Sequence, residues 1–216
     1  MADSRKCQVL VIGAGPGGYV AGIRAAQLGL DTIVVEGDKA GGTCLIRGCI
    51  PSKAIIHAAE RFESLRQHSA DGGHMGLSVK GEAEVDMVGL VSWKDSIVDR
   101  LNKGVEGLLK AAGADLIKGW ASFDGPKSCT VDTGAGILKI EAENVIIATG
   151  SSHIDLPFMP CDEEFVISST GALDLESLPK SVAIVGGGYI GLELGCALAK
   201  LGSEITVVEG MSSVLA

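Results

Sequence analysis

Cys44 and Cys49 stand five residues apart in the run Gly-Gly-Thr-Cys-Leu-Ile-Arg-Gly-Cys-Ile-Pro-Ser-Lys, residues 41 to 53. Two thiols within reach of one another hold two electrons that they give up on closing a disulfide and regain when a thiolate opens it by exchange. An unbroken helix would forbid that pairing. Residues i and i+5 of an ideal helix have Cα atoms about 8.6 Å apart, whereas a disulfide needs roughly 4.4 to 6.8 Å. The backbone between the two must therefore be distorted. Gly48 gives local freedom, and Pro51 suits the first turn of a helix continuing through Ile55, Ala58, Ala59 and Phe62. Cys49 then falls near that helix's N-terminus, where the dipole favours an anionic sulfur and Arg47 adds positive charge. The plain alternative is two unrelated core cysteines.

What must position such a dithiol is written twice in the chain. Residues 9 to 37 run Val-Leu-Val-Ile-Gly-Ala-Gly through Val-Val-Glu-Gly, and residues 182 to 210 run Val-Ala-Ile-Val-Gly-Gly-Gly through Val-Val-Glu-Gly. Gly13 maps to Gly186, Gly29 to Gly202 and Glu36 to Glu209, all with one offset of 173. Each copy has an apolar run, Gln8 to Ile12 or Ser181 to Val185, of the kind that forms a buried parallel strand. The glycines follow, Gly13-x-Gly15-x-x-Gly18 and Gly186-x-Gly188-x-x-Gly191. They allow a tight turn and a close approach of backbone to a pyrophosphate resting on the helix N-terminus. Small residues (Ala21, Ala25 and Ala26; Gly195, Ala197 and Ala199) bring each helix close to its sheet. A second strand then ends in Glu36 or Glu209, carboxylates that accept hydrogen bonds from an adenosine ribose and disfavour a 2′-phosphate. A lone glycine motif is weak, but strand, glycines, helix, strand and acid in register make two βαβ units and predict two dinucleotides. FAD with NAD fits; a one-cofactor dehydrogenase does not.

Between the copies, a helix is expected over roughly 85 to 112 with a stripe of Ile97, Leu101, Val105 and Leu108. Strands are expected near 115 to 123, 128 to 132 and 136 to 141, the last two joined at Thr133-Gly134-Ala135-Gly136, and again over Asn144 to Ala148. Residues 151 to 180, richer in Ser and Pro, read as a crossing between domains. The predicted fold class is α/β, with two Rossmann-type units, the second incomplete. The expected domains are residues 1–150, FAD-binding with the dithiol, and 151–216, the start of an NAD-binding domain.

Composition agrees. The 216 residues include 31 glycines, 46% hydrophobic and only 4% aromatic residues, which suits α/β layering with tight turns. A net charge of −9 without a basic run argues against nucleic acid as a partner. No stretch of about 18 apolar residues implies a membrane span, and no leader segment is expected, so a cytoplasmic location follows (mitochondrial matrix only after loss of a transit peptide). Cys7, Cys129, Cys161 and Cys196 are expected as small buried hydrophobes. No His/Cys spacing matches a zinc site, so no metal is expected.

Residues 41 to 53 resemble the active-site segment of the FAD-dependent pyridine nucleotide–disulfide oxidoreductases. The resemblance extends through Ala148-Thr149-Gly150, Ser168-Ser169-Thr170-Gly171-Ala172-Leu173 and the second glycine motif. Its Cys-Ile-Pro-Ser-Lys ending is most similar to the lipoamide dehydrogenase branch, rather than glutathione or mercuric reductases. The resemblance implies a Cys44–Cys49 redox disulfide, with Cys44 the interchange thiol and Cys49 facing the flavin. It implies catalytic roles for Lys53, near the flavin, and for Glu193, paired with it. It places Gly13, Gly15, Gly18, Glu36, Gly42, Thr43, Lys53, Ala121, Thr149 and Gly150 at FAD. Gly186, Gly188, Gly191 and Glu209 fall at NAD. A lipoyl domain of a 2-oxo acid dehydrogenase complex is the implied partner, and a homodimer the implied assembly. Ile46 departs from the family, which usually has Asn there. None of the four histidines stands in the context of the family's acid/base His–Glu pair. The chain is thus expected to be the N-terminal part of such an enzyme, turning over dihydrolipoamide poorly by itself.

Overall fold

A computed structural model describes residues 3–70 and 76–215. In chain order the elements are β1 (Asp3–Ile12), α1 (Pro16–Gln27), β2 (Thr32–Glu36), α2 (Gly42–Arg47), α3 (Cys49–Ala70) and α4 (Met87–Ala112). There follow β3 (Asp115–Lys118), β4 (Trp120–Gly125), β5 (Ser128–Asp132), β6 (Ile137–Ile147), α5 (Ser169–Leu173), β7 (Ser181–Val185), α6 (Tyr189–Leu201) and β8 (Glu204–Val208). The chain divides into two compact units: Met1–Ile46 with Val98–Ser152, and Arg47–Ile97 with His153–Ala216.

The first unit is a six-stranded sheet in the order β3-β2-β1-β6-β5-β4. Strands β3, β2, β1 and β6 run parallel, whereas β4, β5 and β6 form an antiparallel meander. The meander turns at Thr133–Gly136, where the Thr133 N–H donates to the Gly136 carbonyl at 3.1 Å. Leu10, Val11, Ile33 and Val34 are each 0% exposed, because both faces of these strands are covered. One face meets α1 and the later half of α4: a Cβ on Gly22 would lie 2.5 Å from Val34 and 3.4 Å from Leu109. The other face forms an apolar cluster of Cys7, Leu10, Ile12, Ile33, Val35, Cys129, Val131, Ile140 and Ala142. Burial of each such Val, Leu or Ile contributes about 1.5–3 kcal/mol.

Three expectations need correction here. The strands expected at 136–141 and 144–148 are one strand, β6, since pairing with β1 on one side continues from Leu138 to Ile147. The strand expected at 115–123 is cut at Gly119, whose φ of +157° takes the chain out of the parallel sheet and into the meander. On α4 the buried stripe is Val98, Val105 and Leu109, while Leu101 and Leu108 lie exposed; the helix is rotated so that Leu109 reaches Val34's side of the sheet.

The second unit pairs β7 with β8 in parallel. Their burial alternates, with Val182, Ile184 and Ile205 turned inward and Val185, Val207 and Val208 exposed. Helices α3, α5 and α6 share a core of Ile55, Ala59, Leu173, Leu194, Ala197 and Leu201, joined by Met87 of α4. This core is why Arg47–Ile97 groups with the residues after 152. Ser168 caps α5, its hydroxyl accepting from the Thr170 N–H at 3.1 Å. Lys94 is 3% exposed, and its ammonium is held by Asp174 and, at 2.8 Å, by Asp95. Burial alone would lower its pKa, but the bonds to Asp174 and Asp95 leave it raised. Among the described residues no helix is long and apolar enough to cross a membrane.

Candidate active site

The two glycine turns share one plan. Gly13 and Gly186 have φ of +96° and +104°, a left-handed backbone that side chains rarely tolerate. A Cβ on Gly18 would lie 1.7 Å from the Gly13 carbonyl oxygen, and one on Gly191 2.8 Å from that of Gly186. The protein's own geometry accounts for these first and third glycines. It does not account for the middle ones. Gly15 and Gly188 have φ of −68° and −75°, open to any residue. A Cβ on Gly188 would meet nothing within 4 Å, and one on Gly15 only the Gly42 Cα at 3.8 Å. Space is left where the backbone opens α1 and α6, which fits a pyrophosphate drawn against the main chain.

The acids close the same turns. Glu36 accepts from the Ala14 N–H at 2.6 Å and the Asp38 N–H at 2.9 Å. Glu209 accepts from the Gly187 N–H at 2.6 Å and the Met211 N–H at 2.7 Å. The Met211 and Gly187 amides hold the Glu209 carboxyl below its ordinary pKa. Sequence spacing marked these acids as ribose acceptors; their grip on the glycine loop depends on backbone amides that no residue type reveals.

Other expected residues of the first unit gather at this turn. The Gly41 N–H donates to the Ala14 carbonyl at 2.8 Å, and a Cβ on Gly42 would lie 2.5 Å from the Gly15 Cα. Gly42 is therefore a packing partner of the glycine loop, and it launches α2 with exposed Thr43 and half-buried Cys44. The end of β6 lies alongside: a Cβ on Gly13 would fall 2.2 Å from the Ala148 oxygen and 3.2 Å from the Thr149 Cα. Gly150, at φ +77°, turns the chain away. Ala121 is placed differently, its methyl packed against the apolar cluster. Its neighbour Trp120, which sequence reasoning passed over, covers Gly37, where a Cβ would meet the indole at 2.8 Å. The signal available was a tryptophan directly after Gly119, whose N–H bonds the Glu36 carbonyl at 2.9 Å.

In the second unit, Gly48 interrupts the helices and Cys49 is the exposed first residue of α3. Ser52 ties the new turn, its N–H donating to the Gly48 carbonyl at 3.0 Å and its hydroxyl to the Cys49 carbonyl at 3.3 Å. Pro51 is fully buried. Lys53, one turn beyond Cys49, donates from Nζ to Glu193 Oε2 at 2.7 Å. Packing of Ile55 and Ala59 against Leu194 and Ala197 sets these two helices in register. The side chains of Lys53 and Glu193 are 58% and 39% exposed, so the pair contributes at most about 1 kcal/mol to stability. Of the other cysteines, Cys7 and Cys129 are buried as expected, and burial raises both, Cys7 to about 11. Cys161 is half-exposed and Cys196 exposed, contrary to expectation, because one lies in a loop and the other on the outer face of α6.

Two glycine cradles and a Cys-x4-Cys segment in one chain match a known family. Residues 7–216 match the family described as pyridine nucleotide-disulphide oxidoreductase. The chain belongs to that family. FAD and NAD are the cofactors of this family. This pyridine nucleotide-disulphide oxidoreductase chain is 50% identical to the dihydrolipoyl dehydrogenase of Pseudomonas aeruginosa over 216 residues, all of this chain and 46% of that protein. It is 45% identical to leghemoglobin reductase of Vigna unguiculata over 99% of this chain and 40% of that one. Among solved structures it is similar to LpdA of Mycobacterium tuberculosis, at TM-score 0.83 and 26% identity over 96% of this chain and 46% of that one. It is also similar to the Cu(II) complex of the HOCl-induced flavoprotein disulfide reductase RclA of Escherichia coli, at TM-score 0.82 and 30% identity, covering 98% and 44%. The chain spans less than half the length of these relatives.

Proposed function

We propose that this chain is the N-terminal part of a dihydrolipoyl dehydrogenase. Residues 1–150 serve FAD and carry the redox dithiol, and residues 151–216 begin the part that serves NAD. The observation that carries this is the Cys44…Cys49 segment joined directly to an open glycine cradle, with a second open cradle downstream.

The dithiol does the exchange. A thiolate of dihydrolipoamide attacks Cys44 Sγ of a Cys44–Cys49 disulfide, forming a mixed disulfide and releasing the Cys49 sulfur as a thiolate. The second substrate thiol then attacks the substrate sulfur of that mixed disulfide, closing lipoamide and releasing Cys44. Two electrons now rest on the cysteine pair. FAD, when bound, would supply the two-electron acceptor for that pair, and NAD the final hydride acceptor. Lys53, fixed by Glu193, keeps a cation one turn along α3 from Cys49, where it steadies the sulfur anion. Gly13, Gly15, Gly18, Glu36, Gly42, Thr43, Thr149 and Gly150 would hold FAD, Ala121 would contribute backbone alone because its methyl packs into the apolar cluster, and Lys53 would serve the flavin chemistry as a cation. Gly186, Gly188, Gly191 and Glu209 hold NAD. The acid/base that works on Cys44 comes from outside this chain. The partner is a lipoyl domain of a 2-oxo acid dehydrogenase complex, the assembly a homodimer and the location cytoplasmic.

The likeness to the flavoprotein disulfide reductase RclA favours a second reading, another NAD(P)H-dependent disulfide reductase, of glutathione or mercuric reductase type. Turnover of lipoamide in preference to glutathione separates the two. The direct test is the visible spectrum of the purified chain with FAD, before and after dihydrolipoamide. The expected result is a bound-flavin band that gains long-wavelength thiolate–flavin charge-transfer absorption, lost in Cys49→Ser. A chain that retains no flavin after free FAD is removed would make it a catalytically silent fragment and overturn the assignment for these residues alone.

A further inference from the structure

The segment after β6 contains no lysine or arginine from residue 151 to 179, but six carboxylates, Asp155, Asp162, Glu163, Glu164, Asp174 and Glu176. Within it the chain doubles back. Leu156 and Met159 face one another as an antiparallel bridge, the Met159 N–H donating to the Leu156 carbonyl at 2.9 Å. A second turn follows at once, with Asp162 accepting from the N–H groups of Glu164, Phe165 and Val166 at 2.9, 2.8 and 2.8 Å. The Asp162 and Glu163 N–H groups in turn donate to the Val166 carbonyl at 3.0 and 3.1 Å. The first of these turns brings residue 161 back beside residue 155, and the second fixes the chain just beyond it. The Cys161 N–H donates to Asp155 Oδ1 at 3.3 Å, and His153 Nε2 lies 3.4 Å from the same oxygen. Ligand atoms of His153, Asp155 and Cys161 all lie within 4.8 Å of one another.

We propose that His153, Asp155 and Cys161 form a three-ligand site for a borderline divalent cation of the Zn2+ class, separate from the dithiol. The donor set decides the class: an imidazole nitrogen and a thiolate exclude Mg2+ and Ca2+, which take oxygen, while a carboxylate completes a set common at zinc. Three protein ligands leave a fourth position for water. Binding moves the Cys161 thiol proton to solvent and forms the sulfur–metal bond in its place. The spacing His-x-Asp-x5-Cys resembles no familiar zinc pattern, which is why no metal is expected from spacing alone. The turn at 156–159 supplies the convergence that spacing alone does not. The carboxylates of Asp155, Asp162 and Glu163, in a stretch without lysine or arginine, give the field that draws a cation in.

The test uses Co2+ and Zn2+ alone as probes on the protein with Cys44→Ser and Cys49→Ser, so that the dithiol does not compete. The expected result is one Co2+ per chain, with intense near-ultraviolet thiolate-to-cobalt absorption that Zn2+ abolishes. Cys161→Ser should remove that band, and Cys161→Ser and His153→Ala should each weaken Zn2+ binding about tenfold or more. Cys196→Ser should leave both unchanged. Absence of a thiolate–cobalt band in the starting protein would overturn the site. So would a band that persists in Cys161→Ser, Zn2+ affinity unmoved by His153→Ala, or a band that disappears with Cys196→Ser.

Discussion

The two βαβ units of this chain share their turns and differ in their surroundings. In both, the first glycine is left-handed, the third abuts its carbonyl, and the acid bonds two amides at nearly equal distances. The first copy nonetheless sits at the centre of a six-stranded sheet with Leu10 and Val34 wholly buried, while the second is a two-stranded ribbon with Val185 54% exposed. The contrast separates two kinds of cause. Turn geometry comes from local backbone chemistry; burial comes from whatever packs on either side. Even the turns differ in tightness, since α1 is pressed harder onto its glycine loop than α6, at 1.7 against 2.8 Å.

The largest effect should come from the strands. Leu10→Ala is expected to cost about 2–5 kcal/mol, whereas Val185→Ala should stay within about 0.5 kcal/mol, as an exposed position does. Urea denaturation of both variants measures the difference, and equal losses would refute the contrast in burial. Next come the third glycines. Gly18→Ala forces a methyl into backbone and should cost about 1–3 kcal/mol together with FAD retention; Gly191→Ala, with more than an ångström extra, should cost less. Thermal melts and the amount of flavin retained on gel filtration would sharpen or reverse that ranking. The smallest effect concerns acid. Glu209 has its folded pKa lowered by the Met211 and Gly187 amides, so its stabilising contribution is present above the ordinary glutamate value and fades as pH falls through the folded one. Comparing the acid limb of unfolding in the native chain and in Glu209→Gln checks the sign: the variant should lack this component.

Much of the fold was legible because it is local. The offset between copies and the break at Gly48 rest on spacings that helix and strand periodicity translate into positions, whereas the Lys53 to Glu193 pairing, 140 residues apart, was expected only from the family resemblance. What was not legible depends on contacts distant in sequence. Strand β6 runs through the polar stretch Glu141–Asn144 because β1 supplies a partner along its whole length. The face of α4 is decided by Leu109 meeting the sheet, not by its own apolar periodicity. At the site, Trp120 reaches the first cradle only because Gly119 turns the chain, and His153 reaches Cys161 only through the turn at 156–159.

Trp120 also gives the molecule a built-in optical reporter. The chain has two tryptophans, Trp93 on α4 and Trp120 against Gly37, next to the acid that closes the first glycine turn. With Trp93→Phe, the remaining indole emission belongs to one corner of one unit. Its quenching on titration with adenine-containing fragments would follow occupancy of that corner without any turnover.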